Sequence, residues 1–285
     1  METSSLTDRM KKRFVAGRTL REAISVCSHL FEQDLLTTVD HLGENVTSAE
    51  AAVNFRTSIE AAYRAIADTG LPLTVSIKLT QLGLALSTDL CRENTAILAR
   101  MAAEQGSRLE IDMESNEYVD RTLAITEAMH REYGRVRCVL QAYLYRTEDD
   151  LKRMNQLGIP VRLCKGAYNE PASVAFPEKS KVDENYIKLT RMLIADGNFP
   201  ALATHDPRMI DATLEAVEQC RRKAHDFEFQ MLYGVRRDLQ SNLASEGFGV
   251  RLYVPYGDAW YPYFMRRLAE RPANAIFLAR NLLRA

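Results

Sequence analysis

Short apolar runs alternate with longer amphipathic stretches along nearly the whole chain. Leu73-Thr74-Val75-Ser76-Ile77-Lys78-Leu79 puts Val75, Ile77 and Leu79 on one face and Ser76 and Lys78 on the other, the two-residue period of a strand. Leu109, Ile111 and Met113 alternate in the same way with Glu110, Asp112 and Glu114. Val139 and Tyr143 share parity with Gln141, which Leu140 and Ala142 flank, and Val161 and Leu163 flank Arg162. The pattern predicts strands at 35–40, 72–79, 108–113, 136–144, 160–165, 200–204, 227–232 and 249–254. Helical periodicity fills the intervals, at 48–69, 88–105, 116–133, 147–157, 183–197, 207–224 and 236–246. One more helix, 19–33, precedes the first strand, and a longer one, 260–283, follows the last.

Punctuation agrees with these intervals. Ser48 ahead of Glu50, the run Ser87-Thr88-Asp89 and the run Thr147-Glu148-Asp149-Asp150 all carry N-cap chemistry, and Gly106, Gly158 and Gly197 stand where closing glycines belong. Eight strand–helix units in about 250 residues match a (β/α)8 barrel. A doubly wound open sheet uses similar units, but the count favours the barrel. No repeat, low-complexity tract or linker divides the chain, so the expected organisation is a lead over 1–18 and a single α/β barrel domain over 19–285.

The polar strand positions then acquire meaning. In a barrel the apolar face packs under the helices, so Lys78, Asp112, Gln141 and Arg162 point inward near the C-terminal strand ends, where barrel active sites form. A buried charge is costly unless paired, so this set implies either a ligand or a compensated ion network.

Composition narrows the class. The chain has 285 residues, 46% hydrophobic and 26% charged, with a formal charge of −1, which gives no electrostatic case for nucleic acid. The short basic runs Met10-Lys11-Lys12-Arg13 and Arg221-Arg222-Lys223 read as solvated ends. No apolar run approaches the roughly 20 residues of a membrane helix, and no signal-peptide core opens the chain, so the expected address is the cytosol. The cysteines, at 27, 91, 138, 164 and 220, form no CxxC pair and suit reduced thiols, while the histidines show no HExxH spacing, so no protein-bound metal is expected. GxSxG, GxGxxG and P-loop motifs are all missing, so any nucleotide cofactor is held without a Rossmann fingerprint.

The last unit carries the densest chemistry. Val250 to Gly257 reads as a strand entering a turn, and the following helix puts Tyr263 on one face with Arg266 and Arg267. Two adjacent guanidiniums beside a tyrosine suit a carboxylate or phosphate clamp; the same pair also suits a solvated helix surface.

Taken together and in order, these segments resemble the flavin-dependent proline dehydrogenases, of the monofunctional bacterial type. The resemblance runs from about residue 14 onward through Asp40-His41-Leu42-Gly43-Glu44, Ser76-Ile77-Lys78-Leu79, Glu110-Ile111-Asp112-Met113-Glu114 and Val161-Arg162-Leu163-Cys164-Lys165-Gly166-Ala167-Tyr168. It continues through Ala203-Thr204-His205, Phe229-Gln230-Met231-Leu232-Tyr233-Gly234 and the unit from Tyr253 to Arg267. It implies a distorted barrel with the last helix over its mouth, a flavin at the C-terminal strand ends, and L-proline oxidised to Δ1-pyrroline-5-carboxylate by hydride transfer to flavin N5.

By the same resemblance, Arg266 and Arg267 grip the proline carboxylate with Lys78 as third cation, and Tyr263, Tyr253 and Leu232 pack the ring. Asp112 holds the cationic cluster in place. Lys78, Asp112, Arg162 and Tyr253 are the implied catalytic set. Gln141, Arg162, Lys165, Gly166, Ala167, Thr204, His205, Arg267 and Glu270 are the implied cofactor contacts, Glu270 being equally suited to pair with Arg266. The implied cofactor is FAD. Asn169-Glu170-Pro171 stands where larger relatives place an adenine-stacking aromatic, so FMN could substitute. The expected electron acceptor is a membrane quinone, met peripherally at the inner face of the membrane, and the product's aldehyde dehydrogenase is expected on a separate chain. A lyase or aldolase using Lys78 or Lys165 as a Schiff-base nucleophile, and a non-catalytic carboxylate-binding barrel, are the rival readings.

Overall fold

The computed structural model describes residues 13–261 and residue 263. Strands β1 (Leu36–His41), β2 (Thr74–Lys78), β3 (Leu109–Asp112) and β4 (Val136–Gln141) pair in chain order and in parallel. They continue through β5 (Val161–Cys164), β6 (Ala201–Ala203), β7 (Glu228–Leu232) and β8 (Gly249–Tyr256). β8 returns to β1 in register from Leu36↔Arg251 to His41↔Tyr256, which closes the barrel and excludes the open sheet.

Helix α1 (Leu20–Phe31) precedes the barrel. The crossovers are α2 (Ala49–Thr69), α3 (Thr88–Glu104), α4 (Val119–Tyr133), α5 (Thr147–Gln156), α6 (Lys179–Asp196), α7 (Pro207–Gln219) and α8 (Arg237–Ser245). The outward strand residues make the main core: Val75, Ile77, Ile111, Leu140, Leu163 and Leu252 are all buried under the helices. α2 answers with Ile59, Ala62, Tyr63 and Ile66, spaced three and four apart as one helical stripe requires.

Local chemistry explains where elements start and stop. Ser48 accepts a hydrogen bond from the Ala51 amide and Ser87 from the Leu90 amide, as N-caps should. Thr147 differs from expectation. It is already helical, and its hydroxyl donates to the Gln141 carbonyl at 2.5 Å, so the start of α5 is favoured instead by Glu148, Asp149 and Asp150 near the positive helix end. Gly197 also differs: unlike Gly106 and Gly158 it is not left-handed but has φ −76°. The strand expected over 136–144 ends at Gln141, because Leu144 folds back onto the Gln141 carbonyl in a turn. The helix expected to reach 224 stops at Gln219, with Arg221 left-handed at φ 52°. Arg222, expected to be solvated, instead donates to the Gly197 carbonyl at 2.7 Å.

The described part of the N-terminal lead is a strap across the β8–β1 seam. Ala16 donates to the Pro255 carbonyl and Gly257 donates to Gly17, while Phe14 and Val15 bury themselves with Leu42, Val235 and Tyr263 in a second small core. Gly234 makes this crossing possible: it has φ 75°, and a Cβ there would lie 1.8 Å from the Arg13 carbonyl oxygen. Of the helix expected at 260–283, Trp260, Tyr261 and Tyr263 are described and helical; Arg266, Arg267 and Glu270 lie outside the described residues. Among the described residues no helix is long and apolar enough to cross a membrane, and no group of three or more His, Cys, Asp and Glu is placed to hold a metal ion.

Candidate active site

The inward residues of the barrel form two layers, one pleat period apart. Two residues before Asp112 stands Glu110, two before Gln230 stands Glu228, and two before Tyr253 stands Arg251, each pointing to the same side. Glu110 and Arg137 are register partners across β3 and β4. In the lower layer the Arg137 guanidinium bridges Glu110 (3.1 Å) and Glu228, and Arg251 adds a second guanidinium on Glu228 at 3.1 Å. All four are buried. Burial alone would push Glu228 up, but Arg251 and Arg137 hold its carboxyl far below the usual range. The lower layer is therefore a compensated ion network.

The upper layer opens to a cavity. Lys78 Nζ lies 3.3 Å from Asp40 Oδ1, 3.4 Å from Asp112 Oδ2 and 3.3 Å from the Tyr253 hydroxyl. Asp112 also accepts from Ser76 Oγ at 2.6 Å, from the Tyr253 hydroxyl at 2.7 Å and from Arg162. Arg162 reaches down to Glu110 at 3.1 Å and across to Gln230 at 3.1 Å, with its guanidinium 5.5 Å from the centre of the Tyr253 ring. Burial disfavours charge on Asp112, yet Arg162 and then Lys78 outweigh it and lower its pKa. Lys78 is also buried, but Asp40 and Asp112 raise its pKa above that of an ordinary lysine, so it remains an ammonium.

The cavity has a volume of about 670 Å³, within the range of ligand pockets, and mixes apolar walls (Val139, Ala203, Met231) with the polar groups above. Every expected site residue within the described part lines it: Lys78, Asp112, Gln141, Arg162, Lys165, Gly166, Ala167, Thr204, His205, Leu232, Tyr253 and Tyr263. Their surroundings add detail. Lys165 is not an unshared cation, because its Nζ lies 2.5 Å from Asp183 and 2.9 Å from Asp206. His205 Nε2 accepts the Leu232 amide hydrogen at 2.8 Å, which leaves Nδ1 as the ring N–H. Gly166 has φ 115°, and a Cβ there would meet the Tyr143 ring at 2.3 Å, so the turn after β5 packs its backbone directly on an aromatic face.

Other functional candidates were not singled out in the sequence. Asp40 and Gln230 belong to the motifs quoted above, but β1 reads Leu-Thr-Thr-Val-Asp-His, whose weak alternation does not reveal which way Asp40 faces. Lys179 and Arg236 line the cavity from α6 and from just before α8, where sequence periodicity gives no signal of proximity.

The comparisons with known proteins cover nearly the whole chain. The family model described as proline dehydrogenase matches residues 23–280. "Proline dehydrogenase 2" of Bacillus subtilis (strain 168) is 43% identical over 270 residues, 95% of this chain and 89% of the relative. "Proline dehydrogenase 1" of Bacillus subtilis subsp. natto is 41% identical over 273 residues, 96% and 90% of the two chains. "Proline dehydrogenase" of Deinococcus radiodurans is 39% identical over 280 residues, again 96% and 90%. Among solved structures, proline utilization A from Bdellovibrio bacteriovorus, inactivated by N-propargylglycine, superposes with a TM-score of 0.88 over 94% of this chain. At 24% identity, and with this chain spanning 33% of that one, the superposition shows the barrel fold.

Proposed function

Because the chain belongs to the proline dehydrogenase family, we propose that it oxidises L-proline to Δ1-pyrroline-5-carboxylate with a flavin cofactor. The observation that carries this reading is the convergence of Lys78, Asp112, Arg162 and Tyr253 on the floor of one ligand-sized cavity. Lys78 supplies a permanent positive charge for the substrate carboxylate, joined by Arg266 and Arg267 from beyond the described residues. Tyr253, Tyr263 and Leu232 offer the ring an apolar seat. Asp112 keeps Lys78 and Arg162 close together where they would otherwise repel.

The residues fit a flavin: apolar walls suit a flat ring, Arg162 and Gln141 suit its polar edge, and Thr204, His205 and the cations Lys165, Lys179 and Arg236 suit a phosphate-bearing tail. When bound, a flavin supplies at N5 the acceptor for the hydride on the proline carbon next to nitrogen. The nitrogen is uncharged at transfer, and Arg162 favours added electron density on the cofactor's polar edge. Electrons pass on to a membrane quinone during a peripheral encounter at the inner face of the membrane, from a cytosolic enzyme, and a separate dehydrogenase chain consumes the product. A Schiff-base lyase is disfavoured by the same geometry: Lys78 sits between two carboxylates that keep it protonated, and Lys165 is held by Asp183 and Asp206.

Purified protein loaded with flavin is expected to be yellow and to bleach when L-proline is added without oxygen. A flavin-loaded sample that keeps its visible spectrum would remove the proline assignment and leave the barrel standing.

The cofactor's tail gives a second expectation. Asn169 is exposed and lies outside the cavity lining, and the adjacent Glu170 is occupied by the Asn116 amide at 2.7 Å. An aromatic platform contributes about 1–3 kcal/mol per stacked base. Without one at Asn169, FAD should bind the apoprotein no more than about tenfold better than FMN, a factor of ten being about 1.4 kcal/mol. Titrating apoprotein with each flavin tests this, and a thousandfold preference for FAD would show that another group holds the adenine.

A further inference from the structure

Leu232, Tyr253 and Tyr263 line the cavity, and the packing behind them belongs to the second small core and not to the main one. That core consists of Phe14, Val15, Leu42, Val235 and Tyr263, with Leu232, Tyr253 and Trp260 packed against it. Phe14 and Val15 come from the strap, Leu42 follows β1 and Val235 follows β7, and none of these four lines the cavity itself. They form a layer one side chain behind the cavity wall. The strap is fastened to the same strand ends that carry the wall. Arg13 Nε donates to the Gly234 carbonyl at 3.3 Å, two residues past Leu232. The Ala16 amide donates to the Pro255 carbonyl at 2.9 Å, two residues past Tyr253, and the Gly257 amide donates to the Gly17 carbonyl at 3.0 Å.

In a close-packed interior a side chain holds its place only as firmly as the layer behind it, and a void left there lets it move. Phe14 and Val15, exposed by only 4% and 2%, fill that layer with an aromatic ring and a branched side chain. None of the three hydrogen bonds that fasten the strap uses either side chain, so shortening them opens space without releasing the strap. We infer that Phe14 and Val15 are positioning residues that determine specificity: from behind, they fix the depth of the wall against which a substrate ring packs, and so limit that ring to five members. The inference rests on the reading of Leu232, Tyr253 and Tyr263 as the seat of the proline ring. The Tyr253 ring is also fixed through its hydroxyl, which donates to Asp112 at 2.7 Å, so the apolar Leu232 side chain is the part of the wall that yields first. One methylene more or fewer in an apolar pocket changes selectivity by about 10–200-fold. A wall that gives way by the width of one methylene loses most of that discrimination.

The test uses flavin-loaded enzyme with cyclopentanecarboxylate and cyclohexanecarboxylate, which differ by one methylene and have no nitrogen at which to be oxidised. Calorimetric titration gives the dissociation constant of each, a readout independent of turnover. The wild type should bind the five-membered ring at least about tenfold more tightly than the six-membered one. Phe14→Ala should cut that ratio to about twofold or less and raise KM for L-proline about fivefold, with kcat changed less, as expected when binding common to ground and transition states is lost. Its affinity for flavin should stay close to that of the wild type. Phe14→Leu, which refills most of the space, should restore the ratio. If Phe14→Ala does not fold, Val15→Ala decides, and its ratio should fall in the same direction. A folded Phe14→Ala or Val15→Ala enzyme with the wild-type ratio overturns the inference, and so does a wild type that binds both rings alike. A wild type that binds neither ring, and whose flavin L-proline does not bleach, removes the proline-site reading itself and this inference with it.

Discussion

Arg137→Ala is expected to lower the unfolding free energy by about 3–5 kcal/mol, the usual cost of leaving a buried charge without its partner. Arg137 is fully buried inside the barrel, bridges Glu110 and Glu228, and donates to the Phe199 carbonyl at 3.1 Å. Removal leaves Glu228 with Arg251 and Glu110 with Arg162, so two carboxylates remain with one guanidinium fewer between them. The pH dependence follows from Glu228, whose folded pKa is depressed by Arg251 and Arg137 against the effect of burial. A depressed carboxylate contributes stability that is fully present above its unfolded pKa and is lost as pH falls toward its folded value. Wild-type stability should therefore decline on acidification below the ordinary glutamate range. In Arg137→Ala the decline should be shallower, because less depression remains to be lost. Urea unfolding at neutral and acidic pH measures both quantities. A variant within about 1 kcal/mol of wild type at neutral pH would mean the network contributes no more than an exposed pair.

The largest catalytic loss is expected from Asp112→Ala, with kcat/KM for L-proline lower by about two to three orders of magnitude, or roughly 3–4 kcal/mol of transition-state stabilisation. Four groups converge on this carboxylate: Lys78, Ser76, Arg162 and Tyr253. Without it, Lys78 and Arg162 repel across the cavity floor and the Tyr253 hydroxyl loses its acceptor, so the cations no longer meet the substrate and cofactor in fixed places. Asp112→Asn should be intermediate in stability but nearly as poor in turnover, since it keeps the shape and discards the charge. Steady-state kinetics together with thermal unfolding separate these effects. Near-normal kinetics in a folded Asp112→Ala enzyme would reduce the residue to a spectator.

The barrel was legible because its strands carry a two-residue alternation broken by charged inward positions. Lys78, Asp112 and Arg162 announce themselves as charged residues each flanked on both sides by apolar ones, Ile77 and Leu79, Ile111 and Met113, and Val161 and Leu163. Asp40 does not, because β1 offers two threonines and a histidine around it and no clean apolar face. Distance in the chain hid other relations. Arg162 touches Ser76, 86 residues away, and Lys78 touches Tyr253, 175 residues away, and no periodicity reports on such pairs. Element ends depended on single contacts that a one-dimensional pattern does not carry. Thr147 looked like a cap but its hydroxyl was claimed by Gln141, and Arg222 looked solvated but ties down the loop at Gly197. Helical spacing marked the guanidinium pair Arg266 and Arg267 as a candidate carboxylate clamp and family resemblance added the acid Glu270, and all three lie outside the described residues.

Closure of β8 onto β1 also sets a schedule for synthesis. Arg251 donates to the Thr37 carbonyl at 2.9 Å across 214 residues of chain. At about 5–20 residues per second, a ribosome needs roughly 10–40 s between making one and making the other. For that interval β1 of the nascent chain has an unpaired edge, and Asp40 and Lys78 wait without Tyr253. Such an edge is a template for pairing with a neighbouring chain. The time spent with it open, more than the stability of the finished barrel, is what a chaperone would have to cover in the cell.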